Sequence, residues 1–295
     1  MYCAGIVTYN PDIERLNENI LAIYKQVRVV FVVDNGSNNI DQIEKICSVK
    51  KNTYLIKNNK NLGIASALNR IMCQAKNAGA SWCLLLDQDS IPPIDIIDRY
   101  EKNLYERDVA ILCPRIYDMN SSHELIECDG LEQVGVCITS GSFNNVEIWD
   151  KVGGFDERLF IDSVDNEYCI RLFFCGYKIY RDNSIVLLHE LGKRENHFYK
   201  AATNHNQMRR YYIARNSIYV AKKYKAIAMK HDKKNYKIQN AFLDKLISPT
   251  RIYLRQIQFI VIIILYEKQK REKIEKIIKG LKDGNKMYKD LRTLK

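Results

Sequence analysis

The chain has 295 residues, 46% of them hydrophobic, enough to bury one large α/β core with an appendage or two smaller cores, which excludes global disorder. Its formal charge of +11 is unevenly spread: residues 1–192 carry 19 basic and 27 acidic side chains, and residues 193–295 carry 27 and 8. The acidic part suits a site that gathers cations, and the basic part suits a polyanion or an anionic membrane face.

Along the first part, short apolar runs alternate with segments of helical period, the pattern of βαβ units and a mostly parallel sheet. Ala4–Val7 reads as the first strand. Asn10-Pro11 offers a capping side chain followed by proline, and Ile13, Leu16, Ile20, Ile23 and Val27 give one apolar face to a helix over Asp12–Gln26. Val29–Val33 is a β-branched and aromatic run suited to a strand buried on both faces, ending at Asp34-Asn35-Gly36-Ser37. Asn35-Gly36 would suit a hairpin turn, but Ile40, Ile43 and Cys47 follow at helical spacing. Tyr54–Ile56 is a third strand, Ile64–Ala78 a helix and Trp82–Leu86 a fourth strand. Thr8, Asp34, Asn61 and Asp87 all fall just beyond strand ends, where open parallel sheets bind ligands.

Farther on, Val109–Cys113 and Val134–Thr139 read as strands, Asn145–Lys151 and Val164–Cys175 as helices, and Tyr177–Leu188 as extended chain. After Gly192 the pattern changes to lysine-rich helices over Asn206–Lys230, Asn235–Ile247 and Arg251–Gly280. Nine cysteines, an odd number without a Cys-x-x-Cys pair, disfavour a disulfide framework or zinc knuckle. The amino terminus lacks the basic lead and apolar core of a signal peptide, so a reducing, cytoplasmic setting is expected. The longest apolar run, Phe259–Leu265, falls far short of the roughly 20 residues of a spanning helix.

Asp87-Gln88-Asp89 puts two carboxylates at the end of a buried strand, a donor set for a hard divalent cation that also holds phosphates. The same tripeptide serves elsewhere as an ordinary helix cap or turn, here before Pro92-Pro93. Asp34 is placed to accept hydrogen bonds from a base or ribose, or to satisfy its own turn.

Together these segments resemble glycosyltransferase family 2, with the GT-A fold, and within it the bacterial rhamnosyltransferase-like branch. The resemblance rests on Val7-Thr8-Tyr9-Asn10, Val33-Asp34-Asn35-Gly36-Ser37, Asn61-Leu62-Gly63-Ile64-Ala65, Leu86-Asp87-Gln88-Asp89-Ser90, Gly153-Gly154-Phe155-Asp156, residues 161–167 and Leu188-His189-Glu190-Leu191-Gly192. Tyr211-Tyr212-Ile213-Ala214-Arg215-Asn216 and Gly280-Leu281-Lys282-Asp283-Gly284 extend it into the basic part.

The resemblance implies a Rossmann-like GT-A domain over residues 1–192, with a basic helical region over 193–295 for acceptor, membrane-surface or oligomer contact. It places Thr8, Asn10, Asp34 and Asn61 near the nucleotide, Asp87 near the ribose and diphosphate, Asp89 on Mg2+ or Mn2+, and His189 as a further metal ligand. Asp165 would be the catalytic base. The family often has Glu-Asp where Val164-Asp165 stands, so the choice among Asp162, Asp165 and Glu167 stays open at this point. Inverting transfer needs such a carboxylate to take the acceptor's proton while cations neutralise the departing diphosphate.

Arg209, Arg210 and Arg215, interleaved with Tyr211, Tyr212 and Tyr219, suit a donor or lipid-linked diphosphate, or form a solvated basic face. Arg251, Arg255, Phe259 and the isoleucine-rich run before Lys268 suit an anionic membrane surface on the inner face of the cell membrane, a helical core or a homodimer contact. The expected donor is dTDP-rhamnose and the acceptor a saccharide or lipid-linked glycan of polysaccharide or O-antigen assembly. A UDP-hexose transferase and a non-catalytic nucleotide-sugar-binding protein are the alternatives. No nucleic-acid partner is expected, because the basic helices match no recognised module.

Overall fold

A computed structural model of the protein describes residues 1–104, 108–118, 128–189, 204–229 and 241–293. The chain forms two units, one of residues 1–160 and 164–191, the other of residues 161–163 and 192–295.

The first unit is built on a sheet of eight strands: β1 (Tyr2–Thr8), β2 (Val29–Asp34), β3 (Thr53–Lys57), β4 (Trp82–Asp87), β5 (Val109–Asp118), β6 (Leu131–Gln133), β7 (Ser142–Asn145) and β8 (Lys178–His189). Their spatial order is β3-β2-β1-β4-β7-β5-β8-β6. The four strands from β3 to β4 are parallel, as is the β5–β8 pair, while β7 runs antiparallel to β4 and β5, and β6 to β8. Crossovers between the parallel strands are made by α1 (Ile13–Ile23), α2 (Ile40–Ser48) and α3 (Ile64–Asn77), followed by α4 (Ile96–Glu101), α5 (Val146–Lys151) and α6 (Val164–Phe174).

Five consecutive residues of β2 and of β4 are buried, as the uninterrupted apolar runs require when helices cover both faces. On one face Leu16, Ile20 and Ile23 of α1 pack on Ile6, Val30, Val32, Leu84 and Leu86. Phe143 of β7 stacks against Trp82 at 5.2 Å and Tyr100 at 5.4 Å, tying the antiparallel strand into the same core.

Several boundaries depart from the sequence reading. The cap of α1 is Asp12, whose side chain accepts from the Arg15 N–H, and Asn10 has instead a left-handed φ of 49°. The helix that the spacing of Ile40, Ile43 and Cys47 implied is present: the chain after Asn35-Gly36 enters α2 and returns in a parallel strand, not a hairpin. Val134–Thr139 is loop rather than strand. Its Cys137 Sγ lies 3.9 Å from the Cys169 Sγ of α6, so part of this apolar run is covered by a helix instead of sheet neighbours.

In the second unit α7 (Gln207–Ala228), α8 (Ala241–Leu246), α9 (Pro249–Tyr266) and α10 (Lys270–Thr293) are helical. Residues 230–240, which include the first six residues of the expected helix over Asn235–Ile247, lie outside the described residues. The single helix expected over Arg251–Gly280 is two. It breaks at Glu267–Gln269, where Gln269 takes a φ of 54° and the buried Glu267 carboxylate pairs with Arg210 and, at 2.8 Å, with Lys273. Nor does Gly280 end a helix. A Cβ at Gly280 would lie 2.5 Å from the Tyr211 carbonyl, and one at Gly284 2.2 Å from the Arg215 carbonyl, so this i, i+4 pair lets α10 lie directly on the backbone of α7. Ala214, Ile263 and Ile277 form the small apolar centre of this unit.

Candidate active site at the carboxyl edge of the sheet

The strand order turns at β1, which has β2 on one side and β4 on the other, so the carboxyl ends of β1 and β4 flank a topological switch point. Thr8 lies in register with Asp34, and Val7 with Asp87. Three of the expected site residues therefore stand side by side on one edge.

The Asp34 carboxylate is 1% exposed, and its acceptor sites are taken up locally. Oδ1 accepts from Thr8 Oγ1 at 3.0 Å and Ser37 Oγ at 2.5 Å, and Oδ2 accepts from the N–H groups of Gly36 and Ser37 at 2.9 Å each. Asn10 joins the same loop, its N–H donating to Ser37 Oγ at 2.7 Å and its Oδ1 accepting from the Asn38 N–H at 2.8 Å. Asn35 donates to the Gly63 carbonyl, and Asn61 Oδ1 accepts from the Gly63 N–H at 2.9 Å. Gly63 itself, at φ 87°, leaves no room for a side chain, because a Cβ would lie 2.6 Å from the Phe160 carbonyl. Thr8, Asn10, Asp34 and Asn61 thus belong to one cross-linked set of loops, with Asn10 and Tyr9 exposed at its surface and Thr8 and Asp34 buried within it.

The Asp87–Ser90 loop is held by its backbone. The Asp87 carbonyl accepts from Asn19 Nδ2 at 2.8 Å and the Asp89 carbonyl from Arg15 Nε at 2.9 Å, so two residues one turn apart on α1 grip the loop. The Asp87 N–H donates to Ser140 Oγ, which in turn donates to Ser90 Oγ at 2.5 Å. Gln88, left without a role by the sequence reading, accepts from the Tyr9 N–H at 2.8 Å and joins the ends of β1 and β4. Among the described residues, no hydrogen bond takes up the Asp87 or Asp89 carboxylate.

Electrostatically the loop is crowded. Burial, the Asp89 carboxylate and then the Asp165 carboxylate push the Asp87 carboxyl up to about 7. Asp165 is the second residue of α6, and its Oδ1 accepts from the Asn166 N–H at 2.8 Å. Glu167 is fully buried and paired with Arg171 at 2.8 Å, and Asp162 belongs to the other unit, where Arg209 lies 3.4 Å away. Of the three carboxylates left open by the sequence, Asp165 is the one whose charge acts on Asp87. His189 closes β8 opposite Asp118, and a bridge between Ile91 and Leu188 brings this strand end beside the Asp87–Ser90 loop. The His189 side chain lies outside the described residues, as do Glu190–Gly192.

Crowded carboxylates with unused oxygens are a donor set for a hard divalent cation. Among the described residues no three His, Cys, Asp or Glu side chains converge as a complete cage. A divalent cation held there by one or two carboxylates would need substrate phosphates to complete its shell.

In the second unit, Arg215 Nε donates to Asn216 Oδ1 at 2.8 Å, and its guanidinium sits 4.7 Å from the Tyr212 ring centre. Asn216 Nδ2 donates to the carbonyls of Ile161 and Asp162, holding the short segment that leads into α6. Arg210 is 1% exposed and committed to Glu267, which removes it from the set of arginines able to meet a diphosphate.

The sequence profile of glycosyl transferase family 2 matches residues 3–127. The dTDP-rhamnosyl transferase RfbF of Shigella flexneri is 30% identical over 239 residues, covering 75% of this chain and 79% of the relative. The chain belongs to glycosyl transferase family 2. Among solved structures, S. aureus TarS 1–349 in complex with UDP-GlcNAc is similar with a TM-score of 0.61 and 13% identity, covering 96% of this chain and 80% of that one. GalNAc-T7 with UDP, GalNAc and Mn2+ gives 0.54 and 12%, covering 89% and 57%. The architecture is that of GT-A glycosyltransferases, as the sequence resemblance implied.

Sequence reasoning on this family 2 transferase missed Arg15, Asn19, Ser90 and Ser140. Asn19 left a signal, because it is a polar residue on the otherwise apolar face of α1 beside Leu16, Ile20 and Ile23. The two serines left none, since their partners are distant in sequence.

Proposed function

We propose that this protein is an inverting glycosyltransferase that moves L-rhamnose from dTDP-rhamnose onto a saccharide or lipid-linked acceptor in cell-surface polysaccharide or O-antigen assembly. The observation that supports the reading is that the charges of Asp89 and Asp165 both act on Asp87, at the carboxyl end of β4 beside the switch point, in a chain 30% identical to a dTDP-rhamnosyl transferase. Thr8, Asn10, Asp34 and Asn61 shape the nucleotide end, Asp87 faces ribose and diphosphate, and Asp89 with His189 would hold Mg2+ or Mn2+. A bound divalent cation would neutralise charge on the departing diphosphate. Asp165 takes the proton of the acceptor hydroxyl as that oxygen attacks the anomeric carbon. The bond from that carbon to the diphosphate oxygen breaks, and the configuration inverts. Arg215 supplies a fixed cation for a diphosphate.

A UDP-hexose donor is the second reading, favoured by the similarity to TarS in complex with UDP-GlcNAc. A panel of dTDP- and UDP-sugars, each with Mn2+ or Mg2+, tests both through hydrolysis and through thermal stabilisation of the protein. Metal-dependent hydrolysis of dTDP-rhamnose above all others is expected. Stabilisation without hydrolysis by any donor would reduce the protein to a nucleotide-sugar binder, and a response to UDP-sugars alone would move the donor.

A further inference from the structure

Helix α9 carries two apolar faces. The inner one, with Ile252 and Ile263, packs on Ala214, Ile218 and Ile277 within the helical unit. The outer one consists of Tyr253, Leu254, Ile257, Val261, Ile264 and Leu265, each between 37% and 56% exposed. At 100° per residue these six fall within an arc of about 120°, continuous along about 18 Å of helix. An isolated exposed leucine needs no explanation, but a continuous stripe does.

The charges around the stripe select its partner. No acidic residue occurs in α9, and Arg251 and Arg255 are exposed along one border of the stripe, with Lys268 beyond its carboxyl end. The chain from residue 193 onward carries 27 basic and 8 acidic residues. A second copy laid face to face would set these cations against their own kind. Anionic lipid headgroups would neutralise them while the stripe enters the boundary of the acyl chains. Tyr253, half-exposed at the amino-terminal end, has the amphipathic ring that favours this depth. Among the described residues no helix is long and apolar enough to cross a membrane, so the geometry is that of a helix lying in the surface plane.

We propose that the outer face of α9 docks on an anionic lipid bilayer, with Leu254, Ile257, Val261, Ile264 and Leu265 inserted and Arg251 and Arg255 at the headgroups. The inference is independent of the donor sugar and of Asp165.

The test is sedimentation of the full chain with vesicles of phosphatidylcholine alone or mixed with phosphatidylglycerol. Binding to the mixed vesicles only, weakened by added salt, is expected. Ile257→Asp with Val261→Asp lowers this partition at least tenfold, and Arg251→Gln with Arg255→Gln lowers it about fivefold per charge removed. The arginine pair gives its own answer whatever the aspartates do to folding. Failure of the wild-type chain to bind mixed vesicles overturns the proposal, as does partition that neither pair of substitutions changes. A wild-type dimer that Ile257→Asp with Val261→Asp converts to monomer, with no lipid binding, assigns the face to a second copy and also overturns it.

Discussion

The side chain of Asn19 donates to the main-chain carbonyl of Asp87 at 2.8 Å, from a position that is itself fully buried on α1. With Arg15 one turn earlier on the Asp89 carbonyl, it fixes the Asp87–Ser90 loop by its backbone. Asn19→Leu refills the volume but not the bond. We expect it to cost about 1 kcal/mol of stability, while the loosened loop lowers turnover about tenfold to a hundredfold. Denaturant unfolding and steady-state kinetics on the same protein check the two effects. Equal turnover in variant and wild type would mean that Asn19 only packs.

Asp34 offers a sharper separation of roles. Its carboxylate accepts four hydrogen bonds from Thr8, Gly36 and Ser37, so its contribution is to the free protein before any nucleotide arrives. Asp34→Ala is therefore expected to lower unfolding stability by about 3 kcal/mol or more, at roughly 1.5–3 kcal/mol for each bond to a charged group. A direct contact to the base would instead leave the melting temperature intact and raise only the KM for the donor.

Gly284 tests the packing of the helical unit. A methyl group there would meet the Arg215 carbonyl at 2.2 Å, and backbone has no rotamer by which to yield. Gly284→Ala should destabilise the protein by about 1–3 kcal/mol, although alanine is the better helix former. A stabilised variant would show that α7 and α10 have room to part.

His205 predicts the response to acid. Its burial and the nearby charges of Arg209 and Arg210 push the imidazole down to about 4, against about 6.5 in an unfolded chain. Between these values the unfolded state binds the extra proton, so the contribution is complete above pH 6.5 and is lost as pH falls towards 4. With His205 half-exposed and its field screened by solvent, the loss is about 1 kcal/mol. Unfolding curves at pH 7 and pH 5 should differ by that amount more in the wild type than in His205→Gln.

The sheet edge was legible because Val29–Val33 and Trp82–Leu86 are unbroken apolar runs that stop at Asp34 and Asp87, and burial on both faces leaves no other pattern. The wiring of the loops was not, since Thr8 and Asp34, Tyr9 and Gln88, and Ser90 and Ser140 lie 26 to 79 residues apart. Val134–Thr139 misled because an apolar run does not say whether a strand or a helix will cover it. Gly280 misled because a glycine that admits a neighbouring backbone looks in sequence like one that ends a helix. Asp165 was singled out by resemblance, and its electrostatic reach to Asp87 came only from the fold.

The central claim is that Asp165 is the base of a transferase whose nucleotide end lies at Asp34 and Asp87. The most direct test is Asp165→Asn, with dTDP affinity measured by calorimetry in the presence of Mn2+ and rhamnosyl transfer followed by dTDP release. The account predicts unchanged dTDP binding and transfer reduced about 10²- to 10⁴-fold. Near-normal transfer by Asp165→Asn would contradict it.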